Sequence, residues 1–211
     1  MKIEIWSDIM CPFCYIGKRR FDAALEHFAH KDDVQVVWKS FMLSPELKTD
    51  PSRNMNELLA EHKGISIEEA KGMHDYVTDM AANTGLTYNF DKAVSANTFN
   101  AHRYIHFAAQ YGKATEAEEK LFAAYFTEGR NIDDAQTLID IALELGLDTT
   151  KLAQAMSSGA FADEVVQDIT EAQELGIKGV PFFVFDRKYA VSGAQETAAF
   201  LDTMEKVYAE K

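Results

Sequence analysis

A short strand that runs straight into a helix, with the chain's two cysteines at the joint, constrains this sequence more than any other feature. Lys2-Ile3-Glu4-Ile5 alternates apolar and polar residues and the strand ends near Asp8. Apolar residues then recur with helical spacing through Tyr15, Ile16, Phe21, Leu25 and Phe28. Cysteines three positions apart on a helix have Cα atoms roughly 5–6 Å apart, inside the window a disulfide needs, so Cys11 and Cys14 can bond and separate with little backbone movement. Pro12 suits the first helical position, because its missing N–H would have been unpaired there anyway. That places Cys11 at the N-cap, where orphan N–H groups and the positive end of the helix dipole favour a thiolate. Cys11 is therefore the expected attacking sulfur and Cys14, one turn further in, the resolving one. Pro12-Phe13 brings no extra cation between the sulfurs, so the couple is expected to be less oxidising than one with His at that place.

The same cysteines, followed by His27 and His30, nearly spell a two-Cys, two-His zinc finger, but two residues between the histidines fall short of the usual three to five. If Phe13 to Phe28 is one helix, Cys14 and His27 stand about 20 Å apart at ~1.5 Å per residue, too far to share an ion. His102 and His106 are one helical turn apart, yet no Glu-x-x-His companion accompanies them. No metal and no cofactor is expected.

Charge narrows the partners. With 21 basic and 34 acidic residues the chain carries a formal net charge of −13, whose field repels phosphate backbones and anionic membrane surfaces. Neither nucleic acid nor membrane is an expected partner. The N-terminus has no continuous apolar stretch of the kind a signal peptide needs, and nowhere do some twenty apolar residues run together. A cytoplasmic location is expected, and two cysteines within four residues of each other in a reducing compartment suggest redox chemistry or metal binding rather than a secreted disulfide framework.

The rest of the chain divides by texture. A second strand is read at Val34 to Leu43, ending at Ser44-Pro45, and completes a β-α-β opening. From about Asn54 to Gly176 helical patterns follow one another at Ser66–Ala82, Thr98–Tyr111, Ala117–Phe126, Ala135–Leu145, Thr149–Met156 and Phe161–Leu175. Ser66 with Glu69 offers a capping box, and Gly85, Gly112, Gly146 and Gly176 fall where helix ends favour a left-handed residue. Met73, Tyr76, Met80 and Phe107 read as core of this block. Strands return at Pro181 to Phe185 and Tyr189 to Gly193 around a turn at Asp186-Arg187-Lys188, and a last helix runs from Gln195 to Tyr208, with Ala198, Leu201, Met204, Val207 and Tyr208 on one face. The expected fold is α/β, a βαβ…ββα domain at 1–50 and 178–211 interrupted by a large all-helical insertion at 51–177.

Several motifs together resemble the cytosolic DsbA-like oxidoreductases of FrnE type, within the thioredoxin superfamily. They are Ser7-Asp8 before Cys11-Pro12-Phe13-Cys14-Tyr15-Ile16-Gly17, Asn97 with Ala101-His102-Arg103, Ala124-Tyr125-Phe126, Gly179-Val180-Pro181-Phe182-Phe183-Val184, and Ser192-Gly193-Ala194-Gln195. The resemblance spans nearly the whole chain and implies a thioredoxin-like fold with a helical insertion. It implies that Pro181 is cis and faces the dithiol, with Val180 offering backbone to a client that adds as a strand. It implies a thiol–disulfide oxidoreductase with Cys11 and Cys14 catalytic, and Pro12, Phe13, Val180, Pro181, Asn97 and His102 on the substrate side, His102 as a polar lining beside Cys11. Expected partners are thiol- or disulfide-bearing proteins or glutathione. Asp8 is a candidate proton relay to Cys14, with an ordinary turn or cap residue as the plain alternative, and Lys39 a candidate electrostatic influence on the dithiol. Kappa-class glutathione transferases and hydroxychromene-carboxylate isomerases share the insertion architecture but typically carry Ser at the first thiol position, which makes a glutathione-dependent isomerase or transferase the alternative function. A redox-regulated chaperone is the third.

Overall fold

The computed structural model describes residues 1–210. Its sheet is organised by β1 (Lys2–Ser7), buried along all but its first residue. β1 pairs in parallel with β2 (Gln35–Ser40) and antiparallel with β3 (Phe182–Phe185), which continues through a hairpin into β4 (Tyr189–Ser192), giving the order β2-β1-β3-β4. β2 stops short of the expected Leu43: Phe41 N–H still donates to Ser7 O at the end of β1 at 3.0 Å, but Leu43 N–H goes to the Asp8 carboxylate at 2.7 Å.

Side chains alternate across a strand, so a β1 buried on both sides must supply two cores. On one face Ile5 pairs with Phe183, whose ring lies 5.5 Å from Phe21 of α1 (Pro12–His27) and 4.6 Å from Phe200 of α9 (Thr197–Ala209). Phe200, rather than the expected Leu201, fills the buried position of α9. On the other face Trp6 packs with Val184, Ile177 and Ala172. Losing so large a buried ring costs about 3–5 kcal/mol in cores of this kind.

Ala172 belongs to α8 (Ala162–Glu174), which polar contacts also tie to the sheet. Trp6 Nε1 donates to Asp168 O at 3.0 Å, and the Asp168 carboxylate accepts from Ser40 N at 3.0 Å and Lys39 Nζ at 2.8 Å. Glu4, buried beneath, is bracketed by Lys2 at 2.9 Å and by the Arg187 guanidinium, which also reaches Glu171 at 2.7 Å. Asp186 and Arg187 form the β3–β4 turn with φ of 44° and 56°. A positive φ is unusual for Arg, and its Glu4 and Glu171 partners hold it there.

Two compact units divide the chain, Met1–Leu43 with Asp163–Lys211, and Ser44–Ala162. Nearly all of α8 therefore belongs with the sheet, whereas the sequence reading placed it in the insertion at 51–177. The second unit holds α2 (Met55–Lys63), α3 (Ile67–Ala82), α4 (Phe99–Ala109), α5 (Ala114–Phe122), α6 (Ala135–Glu144) and α7 (Thr149–Ser158), with α5 running on into a π turn at Ala123–Glu128. α2, unread in the sequence, starts at Asn54, whose side chain accepts from Asn56 N and Glu57 N, and ends at left-handed Gly64. The Ser66–Glu69 capping box starts α3. Tyr104, Phe122, Tyr125 and Phe126 are fully buried here, and Arg103 donates to Ala155 O, Met156 O and Ala160 O, closing the end of α7. Phe107 is core as expected, but Met73 and Tyr76 are exposed: the face of α3 that carries Val77 and Ala81 points inward, and theirs does not.

Candidate active site

β1 delivers the chain to Ser7, and a turn over Asp8-Ile9-Met10 aims it into α1. Cys11 N–H donates to Asp8 O at 2.9 Å, and the Asp8 carboxylate accepts from Leu43 N at 2.7 Å and Met10 N at 3.5 Å, clamping the turn to the segment after β2. Cys11 is the N-cap, in extended conformation, with Pro12 beginning the helix. Both cysteines are reduced and buried. Cys11 thus stands where free N–H groups converge and the helix dipole favours an anion.

The segment before β3 closes over this helix start. The Val180–Pro181 bond is cis, and Cys11 Sγ donates to Val180 O at 3.5 Å. Gly17, on the first turns of α1, faces Pro181 and Ala194, where a side chain would collide with the proline ring. Gly193 N–H donates to Pro181 O at 2.8 Å, and Arg20 reaches from α1 to Ala194 O at 2.6 Å and to Glu196 at 2.8 Å. Within this unit the structure brings Cys11, Pro12, Phe13 and Cys14 together with Val180 and Pro181, Phe13 being exposed.

Cys14 sits in different surroundings. Burial pushes its thiol well above the usual range, and the neighbouring Cys11 sulfur pushes the same way, while the backbone at Asp8 and the Ser7 side chain oppose them by hydrogen bonding to the sulfur. The Asp8 carboxylate engages backbone amides, while the side chain that favours the Cys14 anion is that of Ser7, to which the sequence reading gave no role because a Ser-Asp pair ending a strand reads as ordinary turn chemistry.

Lys39 is held by Asp168 and Glu171 of α8, which outweigh burial and keep its ammonium above the ordinary range. Asn97, in the helical unit, directs its amide to Pro45 O at 3.2 Å and Leu47 O at 2.8 Å and accepts from Phe99 N at 2.9 Å, so its side chain holds a loop. His102 is buried in α4 of the same unit. Among the described residues no three His, Cys, Asp or Glu side chains converge as metal ligands would, and no helix is long and apolar enough to cross a membrane.

Residues 2–205 match the model of the DSBA-like thioredoxin domain. The chain is 31% identical over 185 residues to the Bacillus subtilis (strain 168) protein YwbO, covering 86% of this chain and 85% of that one. Its fold is similar to that of a probable DsbA oxidoreductase, SCO1869 from Streptomyces coelicolor, at 37% identity and a TM-score of 0.91, covering 100% of this chain and 91% of the other. It is also similar in fold, at 17% identity and a TM-score of 0.66, to the cytosolic disulfide reductase DsbM from Pseudomonas aeruginosa solved with GSH, covering 99% and 96% of the two chains.

Proposed function

The chain belongs to the DsbA-like thioredoxin domain family, and from that membership we propose that it exchanges disulfides with protein or small-thiol substrates through the Cys11–Cys14 dithiol. The observation that carries the reading is the unequal placement of two reduced cysteines, one at the N-cap of α1 and the other a turn inside it, desolvated.

Cys11 attacks a client disulfide as the thiolate, forming a mixed disulfide and releasing one client sulfur. Cys14 then attacks Cys11 Sγ, releasing the second client sulfur, which takes up the proton Cys14 gives up. The Cys11–Cys14 disulfide left behind is returned to the dithiol by a small thiol such as glutathione, in keeping with a neighbour of the same fold solved with GSH. The client lies across Phe13 and the backbone at Val180 and Pro181, pairing with main chain more than with side chains, which admits many sequences. A cytoplasmic setting, kept reducing by glutathione, makes reductase or isomerase the working direction.

Reduction of insulin disulfides with glutathione as the electron source tests this. Wild type should turn over, Cys11→Ala should not, and Cys14→Ala should stall as a mixed disulfide on Cys11. Full turnover by Cys14→Ala would instead favour a glutathione-dependent isomerase or transferase, which needs no resolving thiol.

A further inference from the structure

The stretch Ser192-Gly193-Ala194-Gln195 leaves β4 and turns sharply before α9. Gly193 takes a φ of 81°, Gln195 N–H returns to Gly193 O at 2.9 Å, and Gly193 N–H donates to Pro181 O at 2.8 Å. That last bond carries the β3–β4 pairing one residue past Phe182 and Ser192, which fixes the turn to the proline. The other side of the turn meets α1. Gly17 and Arg20, three apart and so on one helical face, both address Ala194. A Cβ at residue 17 would stand 3.5 Å from the Ala194 Cα, and the Arg20 guanidinium donates to the Ala194 carbonyl at 2.6 Å while pairing with Glu196 at 2.8 Å. The Arg20 side chain is 16% exposed against 78% for Glu196, so water weakens the ion pair more than the carbonyl contact.

Resting on the dithiol reading above, we propose that Arg20 is a positioning residue for protein clients: it fixes the Val180–Pro181 segment relative to Cys11. The contacts close a circuit. Arg20 lies roughly 13–14 Å along α1 from Cys11, at ~1.5 Å per residue. From Arg20 the path returns through Ala194 and Gly193 to Pro181, and the neighbouring Val180 O accepts from Cys11 Sγ at 3.5 Å. A client that pairs its backbone with this segment presents its disulfide to Cys11 only as accurately as the segment is held. A misplacement of about 1 Å costs a reaction on the order of a hundredfold, which makes a remote tie of this kind matter. Guanidinium suits the place, because one planar fork engages a carbonyl and a carboxylate at fixed angles. A small disulfide without a peptide backbone has no strand to pair and reaches Cys11 without the segment. Arg20 therefore acts on which disulfides are attacked, and not on the attacking sulfur.

The test compares a protein disulfide with a small one in the full chain. Reduced protein is mixed with insulin or with bis(2-hydroxyethyl) disulfide, quenched in acid at intervals, and the loss of its dithiol is followed by mass. Arg20→Met keeps the apolar stem and removes the donors. It should lower the rate constant with insulin about tenfold and that with the small disulfide by less than about twofold, the latter also showing that the variant is folded. Arg20→Gln, too short to reach the turn, should behave as Met does and decides the matter if Met loosens the fold. Arg20→Lys restores a donor of similar reach and should regain at least about a third of the wild-type insulin rate. Glu196→Gln leaves the Ala194 contact in place and should stay close to wild type. Equal loss with both disulfides in Met and Gln, no loss with insulin, a Lys variant no better than Met, or a Glu196→Gln loss as large as that of Met would overturn the role of Arg20. A wild type that oxidises with neither disulfide would overturn the dithiol reading itself.

Discussion

Gly17 lies so close to Pro181 that a Cβ at residue 17 would stand 2.9 Å from the proline Cγ and 3.5 Å from Ala194 Cα. The absence of a side chain is what lets the first helix meet the segment that covers Cys11. Ala is worth about 0.5–1 kcal/mol over Gly inside a helix, whereas forcing a methyl into a packed contact costs about 1–3 kcal/mol.

The clash should therefore win at one site and be absent at another. Gly17→Ala is expected to lower stability by about 1–2 kcal/mol and to lower disulfide-exchange activity with it. Gly72, inside α3 with nothing within 4 Å of its would-be Cβ, is the control. Gly72→Ala should raise stability by about 0.5–1 kcal/mol and leave exchange unchanged. Urea unfolding of both variants checks this, and a stabilised Gly17→Ala would contradict the packing.

Glu4 gives the fold a pH dependence with a definite sign. Burial pushes its carboxyl up, but hydrogen bonds from Arg187 and Lys2 outweigh burial and hold it below the ordinary value, and Glu171 is held low in the same way by Arg187 and Lys39. A folded value below the unfolded one means that unfolding takes up protons, so stability is full above about pH 4.5 and falls as pH drops through the folded value. Glu4→Gln should cost roughly 1–2 kcal/mol at pH 7, less than a fully buried pair because Arg187 and Lys2 reach solvent. That difference should shrink below about pH 4, as wild-type Glu4 itself takes up a proton. Urea titrations at the two pH values check it, and a difference independent of pH would count against the ion-pair account.

Phe13 is exposed between the two cysteines in sequence and brings no charge to them. With no cation there, the reduced form lacks the extra support that makes a dithiol strongly oxidising, so the potential should lie well below about −120 mV, the value of DsbA. Phe13→His adds a partial positive charge at the end of α1 that stabilises a Cys11 anion, and should raise the potential by about 30 mV for each ~1.4 kcal/mol gained. A glutathione redox titration of both proteins measures it. A wild type already near the DsbA value, or no rise in the variant, would refute this.

Local chemistry made much of this molecule readable from sequence. The alternation in β1, the helical spacing after Cys14, Pro12 behind an N-cap cysteine, and the Ser66 and Glu69 pair each depend on neighbours a few residues away, and each corresponds to an element or cap of the fold. What escaped depends on distant partners. α2 is short and charged, with a single strong signal in Asn54. The place of α8 is decided by Trp6 and Asp168, 162 residues apart in sequence. Ser7 is the instructive case in the site: its effect on the Cys14 thiol depends on how the turn after β1 sets α1, which no neighbour in sequence announces.

Competitive alkylation of the fully reduced protein at pH 7 with substoichiometric iodoacetamide, mapped by peptide mass, tests the division of labour between the two sulfurs most directly. Label should accumulate on Cys11 first, with Cys14 protected until denaturant is added, because one sulfur sits at a helix N-terminus and burial keeps the other protonated. Equal labelling of the two, or Cys14 reacting ahead of Cys11, would contradict the assignment of Cys11 as the attacking thiol.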